Sequence, residues 1–124
     1  MLIEEIRDLL DAKVHAGQTL LSLEVSNGFG SDDMNPVMAF AKKKTVLLTG
    51  LVTDQAVRTA KMMNIHCIVF VRGAIPDEDV IQLAEEMKIV LMTTDHRMYD
   101  SCGILYSAGL GRENEERTDQ DFEE

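Results

Sequence analysis

Three short segments rich in glycine and polar residues each follow an apolar run, and together they could bind a small molecule. They are residues 49–54, 72–73 and 93–96. Arg72 can pair with a phosphate or a carboxylate, and Gly50 and Gly73 would allow a ligand to approach the main chain closely. If the apolar runs are parallel strands, these segments meet at the sheet edge where ligands bind in open α/β folds. The candidate ligand-binding residues are Gly50, Thr53, Asp54, Arg72, Gly73, Thr94 and Asp95.

Two other interpretations of these segments stay open. They could be ordinary tight turns from strands into helices, with no ligand. They could also supply an acid or base to an enzyme, from Asp54, Asp95 or His96. However, the sequence lacks the GxxxxGKS/T phosphate loop, a GxGxxG motif after a strand, and the GxSxG and HExxH catalytic motifs. We therefore assign no catalytic residue.

The sequence does not indicate a metal or iron–sulfur site. Residues 27–33 (NGFGSDD) are rich in glycine and acid, but they lack the ligand spacing of a calcium loop. Cys67 and Cys102 fall on a predicted buried strand and on an inward helix face, and two thiols are too few for a cluster within one chain. The histidines, which are not spaced as metal ligands, are His15, His66 and His96. We expect no metal and no cofactor.

The elements that would position the candidate site are three strands, each followed by a helix. The predicted strands are residues 45–50, 67–73 and 89–94, and the predicted helices are residues 53–64, 76–88 and 96–108. The strands are continuous apolar runs, which is typical of a parallel sheet covered on both faces. In the helices, apolar residues recur at helical spacing. The sequence therefore predicts an α/β fold, a three-layer α/β/α sandwich with a mainly parallel sheet.

The first third of the chain has a less regular pattern. The predicted elements, in order, are a helix over 2–11, a short strand within 12–17, a strand over 22–25 and a loop over 26–36. Asn35 and Pro36 suit the start of a helix. That helix would end near the three lysines at 42–44, because cations suit the carboxyl end of a helix.

Composition limits the partners and the location of the protein. The net charge is −10, which argues against nucleic acids and anionic membranes because both are bound through Lys and Arg. Residues 1–110 are predicted to form one α/β domain, and residues 111–124 an acidic, disordered tail, because they lack apolar periodicity. The N-terminus is acidic and amphipathic rather than an export signal. We therefore expect a cytoplasmic protein with reduced cysteines.

Residues 46–105, from VLLTGLVTD to SCGIL, resemble the DRTGG domain family, and the resemblance extends over roughly residues 1–110. That family occurs within phosphotransacetylases, in CBS-domain pyrophosphatases and as small stand-alone proteins. Its two naming motifs are a Gly-Asp-Arg-x-Asp turn and a Thr-Gly-Gly turn. The first stands here as GLVTD, which keeps Gly50 and Asp54, and the second as VRG, which keeps Gly73.

This resemblance implies a fold like the N-terminal domain of HPr kinase/phosphorylase and a regulatory or accessory module that is usually dimeric. The FVRG and GFGSD sequences look like the stand-alone subgroup, which is often encoded near iron-hydrogenase subunits. The serine-kinase label of some members is not supported, because the phosphate-binding loop is missing. The altered motifs imply that the ligand differs or that the site is inactive, with Arg72 as a substitute for the lost arginine.

Two functional hypotheses follow. In the first, the chain is a homodimeric, non-catalytic regulatory module that binds a small anionic ligand, of which nucleotides are one class. In the second, it is a protein-interaction accessory of a redox complex of the iron-hydrogenase type, with no small ligand. The acidic tail and the eight methionines favour the second hypothesis, since methionine is common on adaptable binding surfaces.

Overall fold

A computed structural model describes residues 1–112 of the chain as five strands, five α-helices and one short 3₁₀ helix, Gln18–Leu20. The strands are β1 (Lys13–Ala16), β2 (Asn27–Gly30), β3 (Thr45–Thr49), β4 (Cys67–Phe70) and β5 (Val90–Thr93). The helices are α1 (Ile3–Leu9), α2 (Met34–Phe40), α3 (Asp54–Met62), α4 (Glu78–Glu86) and α5 (Met98–Ser107). The strands form one sheet in the order β1-β5-β4-β3-β2.

Helices cover both faces of this sheet. On one face, α2, α3 and α4 pack against a cluster that includes Leu47, Phe70 and Leu91. On the other face, α1 and α5 pack against a cluster that includes Leu48, Val69 and Met92. The three-layer α/β/α sandwich predicted from the sequence is thereby confirmed.

The central strands are parallel, as the continuous apolar runs predicted. β2, β3, β4 and β5 pair in parallel, with Thr49 opposite Phe70 and Phe70 opposite Thr93 at their carboxyl ends. All residues of β3 and β4 are buried. The chain moves in one direction across these strands, so right-handed crossovers place α2, α3 and α4 on the same face.

The prediction for residues 22–36 is wrong in its details. Residues 22–25 form no strand, and only an isolated bridge joins Leu2 to Glu24. The strand lies within the predicted loop, as β2, which pairs with β3 from Asn27 opposite Thr45 onward. At Gly30 an added Cβ would lie 2.9 Å from the Cys102 sulfur. Glycine therefore lets α5 lie close against this strand.

The helix beginnings also differ by a few residues from the prediction. α2 begins at Met34 rather than at Asn35–Pro36, because the Asp33 carboxylate accepts the Asn35 N–H at 3.0 Å. α4 begins after Asp77, whose carboxylate accepts the Val80 N–H at 3.0 Å. Short acidic side chains at this position satisfy N–H groups that have no partner within the helix. Asp33 and Asp77 therefore set the first residue of α2 and of α4.

The N-terminal helix and the short strand after it are confirmed. α1 buries Ile3 and Ile6 completely. β1 pairs with β5 in the antiparallel direction and closes one edge of the sheet, with an irregularity between Val14 and Ala16. Among residues 1–112, no helix is long and apolar enough to cross a membrane. The predicted tail, residues 111–124, lies outside the described residues apart from Gly111 and Arg112, so its boundary stays a prediction.

The two cysteines differ in burial, and this gives a first testable prediction. Both are free thiols, and burial raises the pKa of each. Cys67 is completely enclosed within β4, whereas Cys102 is only partly buried on α5. Because the thiolate is the reactive form, we expect Cys67 to react with a disulfide reagent only after denaturation and Cys102 to react slowly in the native chain. Cys102→Ser should abolish the native signal, and a fast reaction of two thiols in the native wild type would contradict this expectation.

His15 gives a second prediction, on the pH dependence of stability. Its Nε2 lies 2.8 Å from the Thr93 hydroxyl, and its pKa is lowered, chiefly by desolvation and secondly by Lys13. The folded chain therefore binds this proton less tightly than the unfolded chain does. The stability that neutral His15 contributes to the folded chain is fully present above the unfolded pKa of 6.5. As the pH falls from 6.5 towards the lower, folded pKa of His15, this contribution to the free energy of unfolding is lost.

The measurement is urea denaturation above and below this pH. His15→Gln should weaken the decline, whereas His66→Gln, at an exposed position, should leave it in place. An identical pH profile for His15→Gln and the wild type would contradict the prediction.

Candidate functional site

Main-chain hydrogen bonds hold together the loops that follow β3, β4 and β5. The Val71 N–H donates to the Thr49 carbonyl at 3.1 Å, and the Gly73 N–H donates to the Thr94 carbonyl at 2.9 Å. The Arg72 N–H donates to the His96 carbonyl at 2.8 Å. The carboxyl ends of the three strands therefore meet at one edge of the sheet, and Arg72 and Gly73 lie between the other two loops.

Arg72 is held in place by an aspartate that the sequence did not single out. Its Nη1 and Nη2 each lie 3.3 Å from Oδ2 of Asp32. The other carboxylate oxygen of Asp32 accepts the Gly50 N–H at 2.6 Å. Both side chains of the pair are about half exposed, 48% for Arg72 and 54% for Asp32. Asp32 thus links the loops after β2, β3 and β4 into one polar cluster.

Gly50 lies directly beneath the guanidinium group. A Cβ at this position would overlap the end of the Arg72 side chain, with Cζ only 2.6 Å away, and it would lie 3.0 Å from Oδ1 of Asp32. The absence of a side chain at Gly50 is what allows the arginine to lie against the main chain. We name the cluster of Asp32, Gly50 and Arg72 the arginine site.

The main chain at Arg72 has an unusual conformation for a residue with a side chain. Its φ is 66°, and that of Gly73 is 68°. A left-handed conformation costs a non-glycine residue roughly 1–2 kcal/mol. Among residues 1–112, Asp11, Asn64 and Lys88 share this conformation after α1, α3 and α4, where it commonly ends a helix, and Lys44 has it directly before β3. At Arg72 it ends a strand instead, and strain of this kind is concentrated at functional sites.

Thr53 and Asp54 are not part of the arginine site. They line a separate cleft between α3 and α4, together with Asp77 and Asp79. There Asp54 pairs with Arg58, whose Nε lies 3.3 Å from its Oδ2. Asp54 is the first residue of α3, so its side chain follows that helix.

Thr94 and Asp95 do lie at the predicted edge, but their roles differ. Thr94 is only 3% exposed, and its hydroxyl donates to the Leu10 carbonyl at 2.6 Å. This hydrogen bond anchors the end of β5 to the residue after α1. Asp95 is more exposed, and its Oδ1 would lie 3.3 Å from a Cβ at Gly73. The Asp95 carboxylate is therefore next to the left-handed turn, whereas the Thr94 hydroxyl is engaged within the fold.

A large groove that the sequence did not indicate runs along β2. It has a volume of about 720 Å³ and is bounded by α5 and by the residues between α2 and β3. Its aromatic lining residues are Phe29, Phe40, Tyr99 and Tyr106. We name it the β2 groove. Phe40 is 72% and Tyr99 79% exposed, so this surface is apolar as well as open.

Within residues 1–112, no three His, Cys, Asp or Glu side chains come together in a way that could hold a metal ion. The two aspartates that follow β2 make structural contacts instead. Asp32 binds Arg72 and the Gly50 N–H, and Asp33 caps α2.

The comparisons with known proteins support this fold. The sequence matches no family model and no curated protein in these comparisons. Among solved structures, the chain is similar to the CBS and DRTGG domains of the regulatory region of Clostridium perfringens pyrophosphatase, complexed with its activator diadenosine tetraphosphate. The TM-score is 0.72 and the identity 14%, over 84% of this chain and 45% of that one.

At this identity the likeness is one of fold, and the chain spans less than half the length of the pyrophosphatase region. It confirms, at the level of fold, the DRTGG-type α/β domain that the sequence resembles. The segments GLVTD and VRG, which resemble the two naming motifs of that family, lie in the loops after β3 and β4, and these loops meet at the arginine site.

Proposed function

We propose that this protein is a non-catalytic regulatory module that works as a homodimer and binds a small anionic ligand, with nucleotides as the ligand class. The similar solved structure supports this proposal, because it is a regulatory region in complex with a dinucleotide activator. The ligand would bind at the arginine site, at the carboxyl edge of the parallel strands, where ligands of open α/β sheets bind.

The observation that carries the proposal is the half-exposed guanidinium of Arg72, positioned over Gly50 by Asp32. A guanidinium has five N–H donors, and Asp32 accepts from two of its nitrogens. The other donors can bind a phosphate oxygen. Since Asp32 offsets the charge of Arg72, we expect modest affinity that decreases with salt.

A regulatory role fits the arrangement better than catalysis does. The acids and base weighed from the sequence were Asp54, Asp95 and His96, and Asp54 lies in a different cleft. The Thr94 hydroxyl, at the edge with Asp95 and His96, donates to the Leu10 carbonyl. A catalytic site needs its nucleophile and base within hydrogen-bonding reach of each other, and the separation of Asp54 from Arg72 supports a binding role over a catalytic one.

The proposal is tested by calorimetry of the full chain with AMP, ADP, ATP, diadenosine tetraphosphate and inorganic phosphate. Arg72→Ala should weaken the binding of the best ligand by about 10- to 100-fold, the effect of losing charge-assisted hydrogen bonds. Gly50→Ala should also weaken binding, because its methyl group displaces the guanidinium.

Arg58→Ala is the matched control. It removes an arginine that also pairs with an aspartate and is also exposed, but in the cleft between α3 and α4. It should leave binding unchanged. The absence of binding to every probe, or equal losses in Arg58→Ala and Arg72→Ala, would exclude the proposed site.

The alternative function, as an accessory of a redox complex, has less support. Its argument from a methionine-rich surface is weakened because Met34 and Met92 are buried in the core, while Met38 and Met62 are exposed. The acidic tail lies mostly outside the described residues. A pull-down that loses its partners when residues 111–124 are deleted would favour this alternative. The cytoplasmic location likewise stays a prediction.

A further inference from the structure

We propose that a second copy of this chain pairs with the outer edge of β2, antiparallel to it and about a twofold axis at Phe29, so that the two sheets become one. This inference rests on the homodimer proposed above and names its interface. β2 is the last strand of the sheet, and no described strand pairs with its outer edge. The β2 groove runs along this edge.

The main chain of β2 shows which groups would meet the second copy. The Asn27 N–H donates to the Lys44 carbonyl and the Ser31 N–H to the Leu48 carbonyl, so these residues point towards β3. Since successive residues of a strand direct their N–H and C=O groups to opposite sides, those of Gly28 and Gly30 point outward. In an antiparallel dimer centred on Phe29, Gly28 of each copy would lie opposite Gly30 of the other copy. Each of these two pairs of residues would form two reciprocal hydrogen bonds.

The two edges of the sheet are built differently. β1, at one edge, carries the exposed Lys13 and has an irregular register between Val14 and Ala16. Charged residues and bulges of this kind prevent edge-to-edge association. β2, at the other edge, has the sequence NGFG, with neither a charge nor a proline nor a described bulge.

Exposed aromatic side chains flank the β2 edge. Tyr99 on α5 and Phe40 at the end of α2 are 79% and 72% exposed, and Tyr106 is 48% exposed. All three line the β2 groove. Aromatic residues are enriched in the buried centres of protein interfaces, and a second copy seated on the edge would remove them from water.

Charge determines the direction of pairing. Asn27, at the start of β2, is tied through its Nδ2 to the Lys43 carbonyl, within the segment of Lys42, Lys43 and Lys44. Asp32 and Asp33 follow the other end of the strand. An antiparallel partner brings the lysine end of one copy to the aspartate end of the other, whereas a parallel partner would bring like charges together. A twofold axis satisfies this complementarity at both ends.

The same arrangement would affect the arginine site. The lysine segment of the second copy would approach the end of β2 that carries Asp32, the partner of Arg72. Positive charge from the second copy would offset that of Asp32. Dimerisation is then expected to strengthen the binding of an anion, and the anion to strengthen the dimer by the same factor, because linked equilibria are reciprocal.

The test is sedimentation equilibrium of the full chain, with two variants at one residue. Gly28→Pro removes the outward N–H, and proline is tolerated on edge strands where its nitrogen faces outward. It should weaken the dimer by roughly 100-fold through two lost hydrogen bonds, one from each copy. Gly28→Ala keeps the N–H, and its Cβ would meet nothing closer than Leu110 at 3.4 Å. It should dimerise like the wild type.

A second pair of variants does not involve the main chain. Tyr99→Ser should weaken the dimer, whereas Ile75→Ser, which removes an 85% exposed side chain outside the β2 groove, should not. High salt should weaken the wild-type dimer. Circular dichroism of each variant establishes that it is folded.

The outcomes separate this interface from the proposed function. A dimer that is equally strong in Gly28→Pro and Tyr99→Ser overturns the interface but leaves the homodimer intact. A wild-type monomer overturns both. Calorimetry tests separately whether the arginine site binds an anion, and none of these dimerisation results answers that question.

Discussion

Phe70→Ala is expected to lower the free energy of unfolding by about 3–5 kcal/mol, the range for removing a large aromatic side chain from a core. Phe70 is completely buried and is among the largest fully buried side chains. It lies on β4, a central strand, within the cluster that joins the sheet to α3 and α4. A domain of this size is stable by only about 5–15 kcal/mol, so the variant should lose a large part of its stability.

Urea denaturation at low protein concentration, followed by circular dichroism, measures this loss. Phe40→Ala is the matched control, because it makes the same substitution at a side chain that is 72% exposed. It should change the free energy of unfolding by less than about 0.5 kcal/mol. Comparable losses in the two variants would mean that Phe70 is not at the centre of the core.

The strands that carry long apolar runs could be predicted from the sequence. β3, β4 and β5 are each buried on both faces, so every residue of the strand has to be apolar or small. Their direction follows because a helix of regular spacing separates each from the next. This local information is sufficient for the centre of the sheet and for α3 and α4.

β2 could not be predicted in the same way. It has four residues, two of them glycine, and glycine has a low strand propensity. The strand forms because β3 offers hydrogen-bonding groups beside it, and because Gly30 allows the Cys102 and Met98 side chains to lie close. Both causes depend on residues distant in sequence, so the local pattern shows only a loop.

The arginine site shows the same limit. Arg72 and Gly50 could be chosen from the sequence because each ends an apolar run. Asp32, which is 40 residues from Arg72, could not, because its position at the same edge depends on β2 being a strand. The separation of Asp54 from Arg72 has a similar cause, since the first turn of α3 directs that carboxylate towards Arg58 and α4.

Gly17→Ala should lower the free energy of unfolding by roughly 3 kcal/mol or more, through strain in the main chain and overpacking. Gly17 follows β1, is buried and has a φ of 78°. An added Cβ would lie 2.8 Å from the Val90 Cα and 3.0 Å from the Ile89 carbonyl oxygen. Both neighbours are main-chain atoms at the start of β5, so no side-chain rotation can relieve the contact.

Two further glycine-to-alanine variants allow the effect of the same substitution on stability to be compared at three positions. At Gly50 the overlapping group is the end of the flexible Arg72 side chain, so the loss of stability should be below about 1 kcal/mol even though the arginine site is disrupted. Gly103 lies within α5 with no heavy atom within 4 Å of its added Cβ. Alanine there should stabilise the chain by about 0.5–1 kcal/mol.

The expected order of stability is therefore Gly103→Ala, wild type, Gly50→Ala and Gly17→Ala, from highest to lowest. Urea denaturation of the four proteins measures it directly. The order depends on what each new methyl group would meet: solvent, a side chain that can move, or the main chain of a central strand. A Gly17→Ala protein as stable as the wild type would show that β1 does not approach β5 as closely as this packing requires.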